Sequence, residues 1–265
     1  MQQPVIEVED LVTHYGDRMI LKGISMTVYK GEVMVIMGGS GSGKSTLFRH
    51  LLGLNSPTRG KIRIFGKDIA RLNFKEEIEL RRNIGVSFQG GALFNSMTLG
   101  DNIALPLREH TKLDKKTIKI ICRMKLEMVN LAGFERLMPS ELSGGMVKRA
   151  ALARALVMDP KLLFFDEPSA GLDPVVAAEL DNMIIRLRKA MGMTIVVVTH
   201  DLDSALKIAD RITVLDQGEI LQIGTVQEIT TSSNNRIQDL LNRRMQETEF
   251  DYEAYLQRLS EETGA

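Results

Sequence analysis

The chain has 265 residues, 44% hydrophobic and 26% charged, the proportions of an ordinary globular protein with one large domain or two small ones. Its 34 basic and 34 acidic residues cancel, which leaves no electrostatic reason to expect nucleic acid as a partner. Cys122 is the single cysteine, so no internal disulfide can form. No stretch nears the roughly 20 apolar residues of a membrane span, so action at a membrane would run through a partner.

At the N-terminus, Met1-Gln2-Gln3-Pro4 has no basic segment leading into an apolar one, and no signal peptide is expected. Val5 to Val12 alternates as a strand, and Gly23 to Val28 suggests a second. Between them lies Thr13-His14-Tyr15-Gly16. An aromatic just past a strand either packs on the fold or offers its face to a flat base, and both readings of Tyr15 stay open on the residues alone.

Val33 to Met37 is an apolar run that reads as a buried strand. Gly38-Gly39-Ser40-Gly41-Ser42-Gly43-Lys44-Ser45-Thr46 follows, and Leu47 to Leu52 reads as a helix. Strand, G-x-x-x-x-G-K-S and helix together form a phosphate-binding loop in its required context. Glycines let backbone N–H groups turn toward a phosphate, and the helix N-terminus adds partial positive charge. Lys44 is placed to reach β- and γ-phosphates, and the Ser45 hydroxyl to ligate Mg²⁺.

Asn55 to Gly60 is a turn, Lys61 to Gly66 a short strand, and Ile84 to Phe88 another. The last delivers Gln89 into a Gly90-Gly91 loop, either as a surface residue or as an amide oxygen for a metal or water. From about Gly91 to Met158 the pattern turns helical, with Ile118, Ile121, Cys122 and Val129 on one stripe and Lys125 at its edge. Cys122 on that stripe reads as a small core residue.

Leu142-Ser143-Gly144-Gly145-Met146 opens a strong helix that Asp159-Pro160 stops. Ser143, Gly144 and Gly145 are then either an ordinary cap or a second anion-binding device at a positive helix end. Leu162 to Phe165 is a fully apolar strand that ends in Asp166 and Glu167. A parallel sheet presents such strand ends to ligand, so Asp166 can hold Mg²⁺ through its water shell and Glu167 can accept a proton from an attacking water. Asp173 is the expected N-cap of a helix with Pro174 at its first position, ending at Gly192. Thr194 to Thr199 is one more buried strand, and it brings His200 to the same edge as Asp166 and Glu167, which points to a role at the γ-phosphate. Ile212 to Leu215, Gln217-Gly218 and Glu219 to Ile223 read as a closing hairpin.

The expected boundary of this large domain, 1–235, leaves a tail at 236–265. Ile237, Leu240, Leu241 and Met245, then Tyr252, Tyr255, Leu256 and Leu259, fall at helix spacing there. Two short amphipathic helices would cover either the parent domain or a second subunit.

This ordered set resembles the ATP-binding cassette (ABC) domain of a transporter over roughly residues 5 to 230. The resemblance implies an α/β fold with a mostly parallel, RecA-like phosphate-loop core, an N-terminal antiparallel β part and an inserted helical subdomain at about 91–158. It further implies ATP and Mg²⁺ as ligands, Tyr15 as the adenine-stacking aromatic and Gln89 as the metal- and γ-phosphate-sensing glutamine. Glu167 resembles the general base, Asp173 the cross-subunit loop aspartate and His200 the switch histidine. Phe88 to Phe94, Ala104 to Thr111 and Met138 to Met146 are similar to the ATPases that work with MCE proteins in phospholipid transport, the Mla type. Met146 stands where the wider family has glutamine, as in that subgroup.

The motifs of one chain make two incomplete half-sites, because nothing near the phosphate loop supplies an arginine finger. A head-to-tail pair of chains with ATP sandwiched between them is expected, each site closed by the partner's signature helix. Membrane permease subunits, an MCE-domain protein and a small regulatory subunit are the other partners implied, at the cytoplasmic face of a bacterial inner membrane. A cassette importer of another solute is the alternative. A translation or chromosome-maintenance ATPase fits less well, since this chain has one cassette and no long heptad run.

Overall fold

The computed structural model describes residues 3–242. The chain divides into two compact units, Met1–Thr231 and Ser232–Ala265. The first holds two sheets and the helices that cover them, an α/β architecture.

The first sheet is antiparallel. Strands β1 (Pro4–Tyr15) and β2 (Arg18–Tyr29) form a long hairpin, and β3 (Val33–Met37) leaves for the other sheet. Helix α1 (Lys44–Leu51) intervenes before β4 (Arg59–Ile64) and β5 (Lys67–Asp68) return to give the order β2-β1-β4-β5. The hairpin turns at Gly16 and Asp17, so Thr13, His14 and Tyr15 lie inside β1 rather than between the strands as expected. Pairing of Tyr15 with Arg18 carries the ladder on past Val12, where alternation in the sequence fades.

The second sheet has six strands. Helix α2 (Phe74–Arg82) leads into β6 (Ile84–Ser87), and helices α3 (Leu99–His110), α4 (Lys115–Met128) and α5 (Gly144–Leu156) fill the expected helical region. Then come β7 (Leu162–Asp166), α6 (Pro174–Met191), β8 (Thr194–Thr199), α7 (Leu202–Ile208), β9 (Arg211–Asp216), β10 (Glu219–Thr225) and α8 (Val226–Thr230). The order is β10-β9-β3-β8-β7-β6, parallel except for the β9–β10 hairpin. Helical crossovers cover both faces of such a sheet, which is why β3 and β8 are buried at every residue and read as unbroken apolar runs.

The core lies where the two sheets meet around α1. Ile6, Leu21, Ile36, Leu47, Phe164 and Val198 are all within 1% of complete burial there. Phe48 of α1 packs edge-on against Phe164, with ring centroids 5.9 Å apart. Truncating Phe164 to Ala would cost about 3–5 kcal/mol and loosen the seat of α1.

Register fixes what the sheet presents. Met37 pairs with Thr199 and Asp166 with Val198, so β3, β8 and β7 end on one edge. The hairpin tip braces that edge: Gly218 N–H donates to the carbonyl of Ser42 (3.0 Å), and Lys22 N–H donates to the carbonyl of Gly218 (2.9 Å).

In the helical region Ile118 and Cys122 are buried as expected. Burial pushes the Cys122 thiol up to about 11, which keeps it protonated and inert. Lys125 is buried rather than at the stripe's edge, its ammonium paired with Asp159. In the second unit, helix α9 (Asn235–Leu241) carries Ile237, Leu240 and Leu241. The expected tail residues Met245, Tyr252, Tyr255, Leu256 and Leu259 lie outside the described residues.

Candidate functional site

The phosphate-loop sequence turns from β3 into α1 within six residues, Gly38 to Gly43. A Cβ on Gly38 would sit 2.0 Å from the Leu215 carbonyl oxygen, so the loop hugs β9 too closely for any side chain at that position. Gly43 takes φ +104° as the residue before α1, a conformation L side chains avoid. No acidic residue stands in the first turn of α1 to neutralise its positive end. Lys44 is buried, and its ammonium donates to the carbonyls of Gly38 (2.7 Å) and Gly39 (2.8 Å). Burial lowers its pKa, and the charge of Glu167 opposes that shift.

Ser40, Gly41, Lys44 and Ser45 share one cleft of about 710 Å³ with Gln89, Asp166, Glu167 and His200. Ser42 and Thr46 are buried, the Ser42 hydroxyl without a hydrogen-bond partner among the described residues.

Glu167 follows the last residue of β7 and takes φ +48°. Its N–H donates to the Val198 carbonyl (2.8 Å), which extends the β7–β8 ladder by one link. One carboxylate oxygen accepts from the Thr199 hydroxyl (3.0 Å) and the His200 N–H (3.3 Å). The other lies 2.8 Å from His200 Nδ1. Both carboxylate oxygens thus have partners, and Glu167 lines the cleft. The carboxyl of Asp166 sits above its ordinary pKa, first through burial and then through Glu167, with Arg49 and Lys148 pulling it back.

Ser143 caps α5, its hydroxyl accepting from the Met146 N–H (3.3 Å), and Ser143 and Gly144 are exposed. Asp173 caps α6 as expected, accepting from Val175 N–H and Val176 N–H at 3.0 Å each. Tyr15 is half-exposed, and its hydroxyl accepts from the Asn55 side-chain amide (2.9 Å). Of the phosphate loop only Ser40, Gly41, Lys44 and Ser45 line that cleft, while Gly38, Gly39, Ser42, Gly43 and Thr46 do not, and neither do Tyr15, Ser143, Gly144, Gly145 or Asp173.

Arg49 and Lys148 were missed. Arg49 was within reach of the sequence, because it follows Ser45 by four residues on α1 and so shares its face. Lys148 carried no such signal: it lies inside α5, yet donates from its ammonium to the Glu167 carbonyl (3.0 Å).

Residues 21–170 match the family of the ABC transporter. The intermembrane phospholipid transport system ATP-binding protein MlaF of Haemophilus influenzae is 43% identical over 241 residues, 91% of each chain. The probable ribonucleotide transport ATP-binding protein mkl of Mycobacterium tuberculosis is 43% identical over 90% of this chain and 67% of its own length. Among solved structures, a dimeric ATP-binding cassette in a post-hydrolysis state with ADP and Pi superposes with a TM-score of 0.76 at 30% identity, covering 83% of this chain and 98% of that one. A phosphate loop, two strand-end carboxylates and a histidine around one cleft, joined to these similarities, place the chain in a known line: it belongs to the ABC transporter family.

Proposed function

We propose that the chain is the ATP-hydrolysing subunit of a transporter that moves phospholipid between the inner and outer membranes. The observation that carries the ATPase half is the Glu167 carboxylate, fixed by Thr199 and His200 beside Lys44 and Ser45 in one cleft. The phospholipid half is supported by 43% identity to MlaF across 91% of both chains.

Tyr15 stacks on adenine, and Gly38 to Thr46 wrap the phosphates, with Lys44 turning from its own loop carbonyls to the β- and γ-phosphates. Ser45, Gln89 and Asp166 offer a hydroxyl, an amide oxygen and a carboxylate, a hard-oxygen set that suits Mg²⁺. Among the described residues no group of three or more His, Cys, Asp or Glu side chains is placed to hold a metal ion. When bound, Mg²⁺ neutralises charge on the triphosphate. Glu167 takes a proton as water oxygen attacks the γ-phosphorus and the bond to ADP breaks, while His200 contacts the γ-phosphate.

Ser143, Gly144, Gly145 and Asp173 stand outside the cleft of their own chain and close the site of a second copy. ATP is then the glue of a head-to-tail homodimer, and loss of the γ-phosphate lets the halves part. No helix among the described residues is long and apolar enough to cross a membrane. The helical region near Gly91 to His110 passes the stroke to membrane permease subunits. An MCE-domain protein and a small regulatory subunit complete the assembly, at the cytoplasmic face of the inner membrane.

A transporter of another solute is the second reading, favoured by equal identity to a protein named for ribonucleotide transport. Purification from detergent-solubilised membranes separates the two. A permease carrying bound phospholipid supports the first, and a permease without lipid that retains a polar solute supports the second. Association with ribosomes or DNA would reject both.

A further inference from the structure

Helix α5 touches more of this site than its cap. Gly145 packs so close to α6 that a Cβ there would lie 2.8 Å from Val176 Cγ1. Arg154, at the other end, donates to the carbonyls of Gly91 (3.0 Å) and Ala92 (2.8 Å), the loop just after Gln89. Between them, Lys148 is 8% exposed, and the one side-chain hydrogen bond described for it goes to the carbonyl of Glu167.

A lysine ammonium is costly to bury unless hydrogen bonds or an opposite charge compensate it. Here it is spent on a main-chain oxygen of the one acidic residue that the ATPase reading makes the base. Glu167 needs such a tie. Its φ of +48° is one that a non-glycine residue holds only when its surroundings enforce it. Three contacts do so: the N–H to Val198, the Ala170 N–H donating to the Glu167 carbonyl (3.2 Å), and Lys148 donating to that same carbonyl (3.0 Å). The first two come from the strand edge and the local turn. Lys148 alone comes from a distant helix, 19 residues earlier in the chain. A twist of the Glu167 main chain would swing the carboxylate away from Thr199 and His200.

We propose that Lys148 is a positioning residue for hydrolysis, tying the main chain of the catalytic carboxylate to the signature helix. Ser143 lies five residues before it on the same rigid helix, about 7.5 Å along the axis. Any displacement of the exposed cap, where the second copy's nucleotide is proposed to sit, therefore reaches Glu167 through one side chain. The proposal rests on the ATPase reading of the cleft.

The test is Lys148→Met, which keeps most of the volume, beside Lys148→Arg, which keeps a cationic donor. Steady-state hydrolysis of MgATP is normalised to the protein fraction that binds a fluorescent ATP analogue, so that misfolded material drops out. The expected result for Lys148→Met is a kcat about tenfold to hundredfold lower. KM should stay within about twofold, since the phosphate loop is untouched, and Lys148→Arg should recover most of the lost rate. A kcat for Lys148→Met within about twofold of wild type would overturn the proposal. So would equal losses in both variants with KM raised in step, because that pattern is a packing defect. Wild-type protein that fails to hydrolyse ATP would instead remove the ATPase reading itself.

Discussion

His200 Nδ1 lies 2.8 Å from an oxygen of Glu167. The pair spans two adjacent strands, with the imidazole on β8's end and the carboxylate on β7's. In the proposed mechanism the tautomer with the proton on Nδ1 lets His200 orient the carboxylate that meets water. Glu167→Gln keeps the shape, and its single amide oxygen can still accept from the Thr199 hydroxyl and the His200 N–H. The amide nitrogen that would face His200 Nδ1 is a donor, and the group cannot take a proton. Turnover should fall roughly 10²–10⁴-fold while ATP still binds, and the protein should collect as an ATP-bound dimer. Rapid-quench hydrolysis with sizing chromatography measures both. Normal turnover would remove Glu167 from the role of base.

Gly38 makes a sharper steric claim. Its substituent would meet the Leu215 carbonyl at 2.0 Å and the Ser42 hydroxyl at 2.8 Å, and a main-chain carbonyl in β9 has no room to yield. Gly38→Ala should destabilise the fold by about 1–3 kcal/mol and weaken ATP binding in step. Thermal melting and nucleotide titration report the two effects, and a variant with wild-type values for both would mean that the loop does not press on β9.

These two predictions differ in how early they were visible. The phosphate loop, Asp166, Glu167 and His200 were legible because each sits at a junction the chain marks itself, an apolar run broken by glycine, acid or histidine. The caps at Ser143 and Asp173 were legible from spacing alone. The capping box of α2, Asn73 with Glu76, was also written in the chain and went unread. What stayed hidden was pairing at a distance. Lys148 with Glu167 and Arg154 with Gly91 join residues 19 and 63 positions apart, and both cations lie in a helix whose periodicity shows no clear polar face. The positive φ of Glu167 was invisible for the same reason, since it is imposed from outside its own segment.

His50 on α1 is fully buried, its ring between the Thr13 hydroxyl (2.7 Å) and the Asn55 carbonyl (3.0 Å). Burial lowers its pKa, partly offset by Asn55. The unfolded chain, with a histidine pKa of about 6.5, then binds the proton more readily than the folded one. The stability His50 contributes is complete above that value and declines as pH falls below it toward the depressed folded pKa. The decline is bounded at about 1.4 kcal/mol per pH unit. Chemical denaturation at pH 7.5, 6.5 and 5.5 should show wild type losing stability on the acid side. His50→Gln should lose less across that range, and parallel losses would show that His50 does not set the acid limb.

Ser143 tests the division of labour between copies. Ser143→Arg places a large cation on an exposed cap outside the chain's own cleft. Binding of ATP to the monomer should stay within about threefold of wild type, while hydrolysis falls at least 10²-fold. Isothermal titration beside phosphate release separates the two. Loss of monomer binding would mean that the cap serves its own chain.

The most direct test of the shared site is a structure of the Glu167→Gln protein with ATP bound. Two copies should enclose two nucleotides, each triphosphate held between Lys44 of one protomer and Ser143 of the partner subunit. A triphosphate wrapped by a single chain, with no second copy touching it, would contradict the account.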